Sequence, residues 1–404
     1  MTLHLKKLTG ALITLGVLAF AAPASAQISD GVVKIGLITD MSGVFSDISG
    51  KGHVEAIKMA IADFGGTLNG KKIELVFGDH FNKADVAASK AREWVDREGV
   101  DILMSGASSA ADLAIAKVAQ EKKKLFIVIA TGSARLTNED CNPYTMHYGY
   151  DTVAMAKSTG SAVVKQGGKS WYFLTADYAF GQSLEQDTSK VIKAAGGTVL
   201  GSVKHPLGAS DFSSFVTQAQ ASKAQILGLA NATADTINAI KAANEFGLTK
   251  TMKLAGLVMF VTDIHSLGLN LTQGMYLSDN WYWDQDAASR AWSRRYFDVM
   301  KKMPTGNQAA GYSATMQYLN AVKAVGSDDA DRVIPQMKKT KINDMYLKNG
   351  YIRDDGRVMY DMYLMQVKTP AESKYPWDYV KIVAKIPADQ AFTTKAESAC
   401  TMWK

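Results

Sequence analysis

Residues 33–43 read Val33-Lys34-Ile35-Gly36-Leu37-Ile38-Thr39-Asp40-Met41-Ser42-Gly43. An apolar, β-branched run broken only by Lys34 and Gly36 ends in a polar turn that contains a glycine. Downstream, Val54, Ile57, Ile61 and Phe64 are spaced 3, 4 and 3, which places them on one face of a helix. Strand, turn and amphipathic helix in that order open a parallel α/β unit, because a strand that is apolar on both faces has to be covered on both.

The same alternation continues outward from this start. Strands are predicted at Ile73–Phe77, Ile102–Met104 and Leu125–Ile129, with helices over 84–98 and 110–123. After about residue 150 the pattern begins again, with strands at Trp171–Leu174, Thr198–Val203, Ile226–Leu229 and Leu254–Val258. The helices between them fall at 182–195 (Leu184, Thr188, Val191 and Ala195 on one face), at 211–222 behind Ser210 or Asp211, and at 234–246 before Gly247.

Two such series predict an α/β protein with two doubly wound lobes. An eight-stranded barrel would need one uninterrupted series, and the stretch 138–169 interrupts it. Beyond Met275, helices near 286–302 and 309–325 and strands near 351–353 and 359–367 are too few for a third lobe and complete the first two. The expected lobes are therefore discontinuous: 27–148 with 275–355, and 149–274 with 356–404.

The 404 residues carry a net charge of +6 but no run of five like charges, the densest cluster being Lys122–Lys124. A nucleic-acid partner would call for a concentrated basic stripe, so none is expected. Lys6 and Lys7, the apolar run Leu8–Ala22 and Ala24-Ser25-Ala26 make residues 1–26 an expected export signal, removed before Gln27. Its apolar run falls short of the roughly 20 residues that span a bilayer. The mature protein is expected to be soluble and, in a cell with two membranes, periplasmic. In that oxidising compartment the only two cysteines, Cys141 and Cys400, favour one disulfide over two free thiols.

In open α/β sheets ligands bind beyond the carboxyl ends of the strands. In the first series those ends are Thr39–Ser46, Ser105-Gly106-Ala107-Ser108-Ser109 and Ala130-Thr131-Gly132-Ser133. Small hydroxyl residues at helix starts form a ready site for a carboxylate. In the second series they are Thr175–Phe180, Asn231-Ala232-Thr233 and Phe260–Asp263, which add aromatic rings and an amide. Each cluster taken singly is also compatible with an ordinary helix cap or turn. No G-x-S-x-G, C-x-x-C, H-E-x-x-H or G-x-G-x-x-G signature occurs at a place that would carry catalysis or bind a dinucleotide, and no histidines stand four apart. Neither a metal nor a cofactor is expected.

Val33–Leu37 leading into Ser42-Gly43, Glu55-Ala56 on the next helix, Leu174-Thr175-Ala176-Asp177-Tyr178-Ala179-Phe180-Gly181, Ser213-Ser214-Phe215 and Gly228-Leu229-Ala230-Asn231 together resemble the Leu/Ile/Val-binding solute-binding proteins of ABC importers, the type I periplasmic binding proteins. The resemblance implies two Rossmann-like lobes joined by three crossovers, closure on a ligand, no catalysis, a monomer, and a membrane permease with its ATPase as partner. It places carboxylate binding at Ser108 or Ser109 and a backbone-and-threonine contact at Ala130, Thr131 and Gly132. The opposite wall falls at Tyr178, Phe180, and Asn231 to Thr233. The segment that carries the family's acidic partner for an ammonium group falls at Phe260–Val261, where neither residue is acidic. A ligand without an α-ammonium, such as an aromatic or other small organic acid, is therefore expected alongside the amino acids. The alternatives are a ligand sensor of the same fold and an exported α/β enzyme.

Overall fold

The computed structural model describes Met1 and residues 28–403, so the expected export signal lies, but for Met1, outside the described residues. The first sheet is built from β1 (Val32–Thr39), β2 (Thr67–Leu68), β3 (Lys71–Asp79), β4 (Ile102–Gly106), β5 (Leu125–Ala130) and β6 (Thr145–His147), in the order β2-β3-β1-β4-β5-β6. Every pair in it is parallel except β2 with β3. The second sheet contains β7 (Ser170–Ala176), β8 (Thr198–His205), β9 (Ile226–Ala230) and β10 (Lys253–Gly256), all parallel, in the order β10-β9-β7-β8.

Pleat alternation explains why the central strands read as unbroken apolar runs. Leu125, Ile127 and Ile129 of β5 face the main core, while Phe126 and Val128 face a second core with Trp94, Leu103 and Ile115. Gly36, the weak point of β1 in the sequence, is where Trp94 packs: a Cβ there would lie 2.9 Å from the indole. The chain order reverses beside β1 in the first sheet and beside β7 in the second. The crevices at these switch points open at the carboxyl ends of β1 and β4, and of β7 and β9.

Several elements depart from the periodicity. The interrupting stretch 138–169 holds β6 and a helical run from Thr152 to Lys165 with a π turn at Ala156–Gly160. The helix expected at 211–222 starts at Ser213, with the Asp211 carboxylate accepting from the Ser213 N–H at 2.8 Å. On the helix Ala179–Ala194, Ile192 is buried and Ala195 lies exposed beyond its end. The strand expected to reach Val258 stops at Gly256.

A small antiparallel sheet joins β11 (Tyr276–Asp279), β14 (Met362–Val367) and β15 (Val380–Ile386), and β12 (Tyr351–Ile352) pairs with β13 (Val358–Met359). The pairing of β11 with β14 carries residues 276–279 with the C-terminal segment, and the β12–β13 hairpin straddles position 355/356. A disulfide joins Cys141 to Cys400 with the Cα atoms 5.8 Å apart, tying the C-terminal tail to the segment that precedes β6.

Tyr148–Asp151 links β6 to the helical run before β7, Asn280–Trp283 follows β11, and Tyr360–Asp361 separates β13 from β14, and Arg357 bonds to the first and last of these. Arg357 is fully buried. Its guanidinium donates to the Asp151 carboxylate at 3.4 Å, the Tyr360 hydroxyl at 2.8 Å, and the carbonyls of Val358 (3.0 Å) and Gly149. Gly356 beside it has φ +84, and a Cβ there would stand 2.2 Å from the Thr145 carbonyl oxygen, so β6 and residue 356 can approach only with glycine at this position.

Candidate functional site

One wall is set by Asp40, buried at the end of β1. Its carboxylate accepts from the N–H groups of Gly43 (2.6 Å), Phe45 (2.9 Å) and Ser42 (3.2 Å), and from the Asn82 amide (2.7 Å). Charge-assisted bonds of this kind hold a loop more firmly than neutral ones. They aim Phe45 at the cleft, with its ring centroid 6.1 Å from that of Tyr178.

Beyond β4, Ala107 has φ +103, a region L-residues rarely enter, immediately before the helix Ser109–Lys122. Ser108 and Ser109 are buried at that helix start, and the Ser108 side chain makes no capping bond. The Ser109 hydroxyl accepts from the Ser133 N–H at 3.3 Å. The first-turn N–H groups and the helix dipole favour an anion here. Burial pushes the Asp112 carboxyl in the same turn up to about 7, so it does not carry a full negative charge there at neutral pH. Ala130 closes β5 against Gly106, and Thr131 follows, buried, its carbonyl held by the His147 ring.

Gly132 is where the walls meet. A Cβ on it would lie 2.7 Å from Phe180 and 2.9 Å from Tyr150. Tyr178 stacks at a tilt on Phe180 with centroids 6.0 Å apart, and Tyr150 on Phe260 at 5.9 Å. Phe180 and Tyr150 thus flank Gly132, and ring contacts continue from Phe180 through Tyr178 to Phe45 and from Tyr150 to Phe260, beside the Ser108–Ser109 helix start. Burial holds the Tyr178 and Tyr150 phenols well above their ordinary range, so both are neutral donors.

The remaining expected residues have other partners. The Asn231 amide is spent within its own lobe, lying 3.1 Å from the His205 ring and accepting from the Thr236 hydroxyl at 2.7 Å. Thr233 has φ +53, strained for a β-branched residue, and its hydroxyl donates to the Val44 carbonyl at 2.9 Å, joining the two sides of the cleft. A second such contact pairs the hydroxyls of Ser133 and Ser183 at 3.2 Å.

Phe260 and Val261 are buried and apolar, and the nearby acids are engaged by backbone. Asp263 accepts from the Phe260 N–H at 2.9 Å, and Asp279 accepts from the Asn280 N–H at 2.8 Å beside Gly306 at the start of the helix Gly306–Val325. Burial pushes both carboxyls up to about 7. The sequence reading did not single out Phe45 or Tyr150. The signal for Tyr150 was an aromatic pair around a glycine, Tyr148-Gly149-Tyr150, inside the interrupting stretch.

Comparison with known proteins places the chain among similar folds. A crystal structure of a periplasmic binding protein from Burkholderia mallei superposes with a TM-score of 0.92 at 64% identity, over 93% of this chain and 100% of that one. A branched chain amino acid ABC transporter periplasmic ligand-binding protein from Burkholderia xenovorans LB400 gives 0.81 at 40%, over 92% and 100%. A solute binding protein of an ABC transporter from Rhodopseudomonas palustris BisB5, in complex with 3,4-dihydroxy benzoic acid, gives 0.80 at 25%, over 89% and 98%. Among curated sequences, the Leu/Ile/Val-binding protein homolog 6 of Brucella suis biovar 1 is 27% identical over 62% of this chain, and the match spans 65% of that protein's own length. Residues 32–374, most of the chain, match the family described as periplasmic binding protein. The chain belongs to the periplasmic binding protein family.

Proposed function

We propose that this protein is the exported solute-binding component of an ABC import system, and that it captures a small carboxylate with an aromatic or apolar body for delivery to a membrane permease. Its two lobes, approximately 28–148 with 280–359 and 152–279 with 362–403, close on the ligand, and the permease reads the closed form. Ligand contacts made to both walls favour that form over the open one, which is all the work the reading requires. No chemical change of the ligand is proposed.

The observation that carries this reading is the pair of rings, Phe180 and Tyr150, that flank Gly132 and continue into Tyr178, Phe45 and Phe260, beside an unclaimed helix start. Ser108, Ser109 and Thr131 take the carboxylate, and the rings take the body. An ammonium group would need a buried carboxylate beside it, and the segment Phe260–Val261 supplies none. The second reading is an α-amino acid. It is favoured by Asp263 and Asp279, two buried acids without a lysine or arginine partner among the described residues.

Isothermal calorimetry with benzoate and 4-hydroxybenzoate against leucine and valine separates the two readings. Micromolar binding of the aromatic acids, about −8 kcal/mol, with none for leucine, is the expected result. The reverse pattern overturns the ammonium-free reading, and heat from neither set overturns the small-carboxylate reading.

Two variants test the walls with the same probe. Ser108→Ala is expected to weaken benzoate binding about tenfold through one lost bond to a charged group and to leave the melting temperature in place; unchanged affinity removes Ser108 from the site. Thr233→Val should raise the benzoate dissociation rate by about three- to tenfold in stopped-flow measurements without changing association. Thr233→Ser should restore the slow rate, because the hydroxyl that reaches Val44 is kept.

A further inference from the structure

The C-terminal tail is bonded alternately to elements of the two sheets. It leaves β15 at Ile386, and its buried Phe392 ring stands edge-on to Tyr360 with centroids 5.2 Å apart. Lys157 lies on the π turn that packs against the helix Ala179–Ala194 of the second sheet. It donates to the Phe392 carbonyl at 3.1 Å and to the Glu397 carboxylate at 2.9 Å. Arg353 belongs to the β12–β13 hairpin, which is bridged to β6 of the first sheet through Arg357 and His147. It donates to the Thr393 carbonyl at 2.7 Å. The Ala399 N–H then donates to the Asn138 side chain at 2.6 Å, and Cys400 is bonded to Cys141, both in the segment that enters β6.

This path spans a gap. A groove of about 480 Å³ is lined by Arg135 and Asn138 on the first side, Ser183 and Asp187 on the second, and Thr393 and Glu397 of the tail. The Ser133–Ser183 contact that joins the two sides lies beside it, so the gap widens when that contact parts. From Glu397, held by Lys157, to Cys400 is three residues, which reach at most about 10 Å. The Lys157–Glu397 pair is half-exposed and weak by itself. Once it yields, the next hold is Phe392, eight residues from Cys400, and further opening has to unwind the turn at Lys395–Glu397. Hydrogen bonds alone would let the tail peel away; the disulfide prevents that at its far end.

We infer that residues 393–400 form a strap, a further connection between the lobes closed by the Cys141–Cys400 bond, which limits how far the cleft opens and so slows release of a captured molecule. The inference rests on the proposed closure of the two lobes and adds a control on its amplitude.

Inserting Gly-Ser-Gly-Ser between Glu397 and Ser398 lengthens the strap and keeps the disulfide. Cys141 and Cys400 lie 259 positions apart, and loop-closure entropy grows only with the logarithm of that length, so the melting temperature should stay in place. Small-angle scattering of the ligand-free variant is expected to give a larger radius of gyration than the wild type. Stopped-flow with benzoate is expected to give a dissociation rate about fivefold higher, at the low end of conformational coupling. Cys141→Ser combined with Cys400→Ser should do at least as much. Wild-type scattering from the lengthened variant overturns the inference, even where the cysteine variant opens or loses stability, because the bond would then act on the fold alone. A larger radius with an unchanged dissociation rate overturns the strap's role in release. A larger radius with no benzoate binding in either protein keeps the strap's limit on opening and overturns the small-carboxylate reading instead.

Discussion

Gly132→Leu is expected to lower benzoate affinity by about 10- to 100-fold while leaving each lobe folded. Even the first added carbon would lie 2.7 Å from Phe180 and 2.9 Å from Tyr150, well inside van der Waals contact, and leucine adds three more. In a protein interior such overpacking costs about 1–3 kcal/mol. Under the proposed closure the conflicting surfaces separate in the open form, so the cost falls on the closed state, and apparent affinity drops with the fraction of molecules able to close. Calorimetry reads the loss, and an unchanged urea midpoint shows that the fold is retained. Wild-type affinity in this variant would mean that Gly132 does not lie on a surface that must meet another.

Arg357→Met should destabilise the whole protein rather than the site, by about 3–5 kcal/mol. The guanidinium is completely buried and serves the Asp151 carboxylate, the Gly149 and Val358 carbonyls and the Tyr360 hydroxyl, with the Phe392 ring 4.5 Å from its central carbon. Methionine approximates the volume but leaves Asp151 buried without its cation. Burial already raises that carboxyl above its ordinary range, with Arg357 as the main opposing charge. The double variant Asp151→Asn, Arg357→Met should recover part of the loss, because asparagine can still cap the helical turn at Ala154, where Asp151 now accepts at 2.8 Å. Urea denaturation of the two variants measures both numbers, and a single-variant loss below about 1 kcal/mol, the scale of an exposed pair, would show that the charge is not truly desolvated.

Much of the fold was legible because its signals are local. Leu125–Ile129 and Ile226–Leu229 are apolar on both faces, Val33–Ile38 is so but for Lys34, and a parallel sheet covered on both sides uses such strands. Strands without that signal were missed. β6 has three residues, and β15 reads Val-Lys-Ile-Val-Ala-Lys-Ile with most of its length exposed at a sheet edge. The segment 359–367, which read as one strand, divides at Tyr360–Asp361, because β13 pairs with β12 while β14 pairs with β11.

The candidate site was legible to the extent that it is made of strand ends. Ser108, Ser109, Thr131, Gly132, Tyr178 and Phe180 all sit at the carboxyl ends of strands that the periodicity located. Asn231 sits there too, but His205 and Thr236 take its amide, and nothing in the sequence around residue 231 announces a histidine 26 positions away. Tyr150 could not be read from periodicity, since a segment that passes between lobes has no repeating buried face.

The sequence by itself thus determined an α/β chain of two parallel series with hydroxyl-rich turns in the first and aromatic ones in the second, because apolar spacing and turn chemistry act within a dozen residues. Only the tertiary structure decided that Gly132 meets Phe180 and Tyr150 and that Thr233 reaches Val44 across 189 positions. These contacts depend on how the two sheets face each other, a relation set by packing across the cleft and written in no local stretch of the chain.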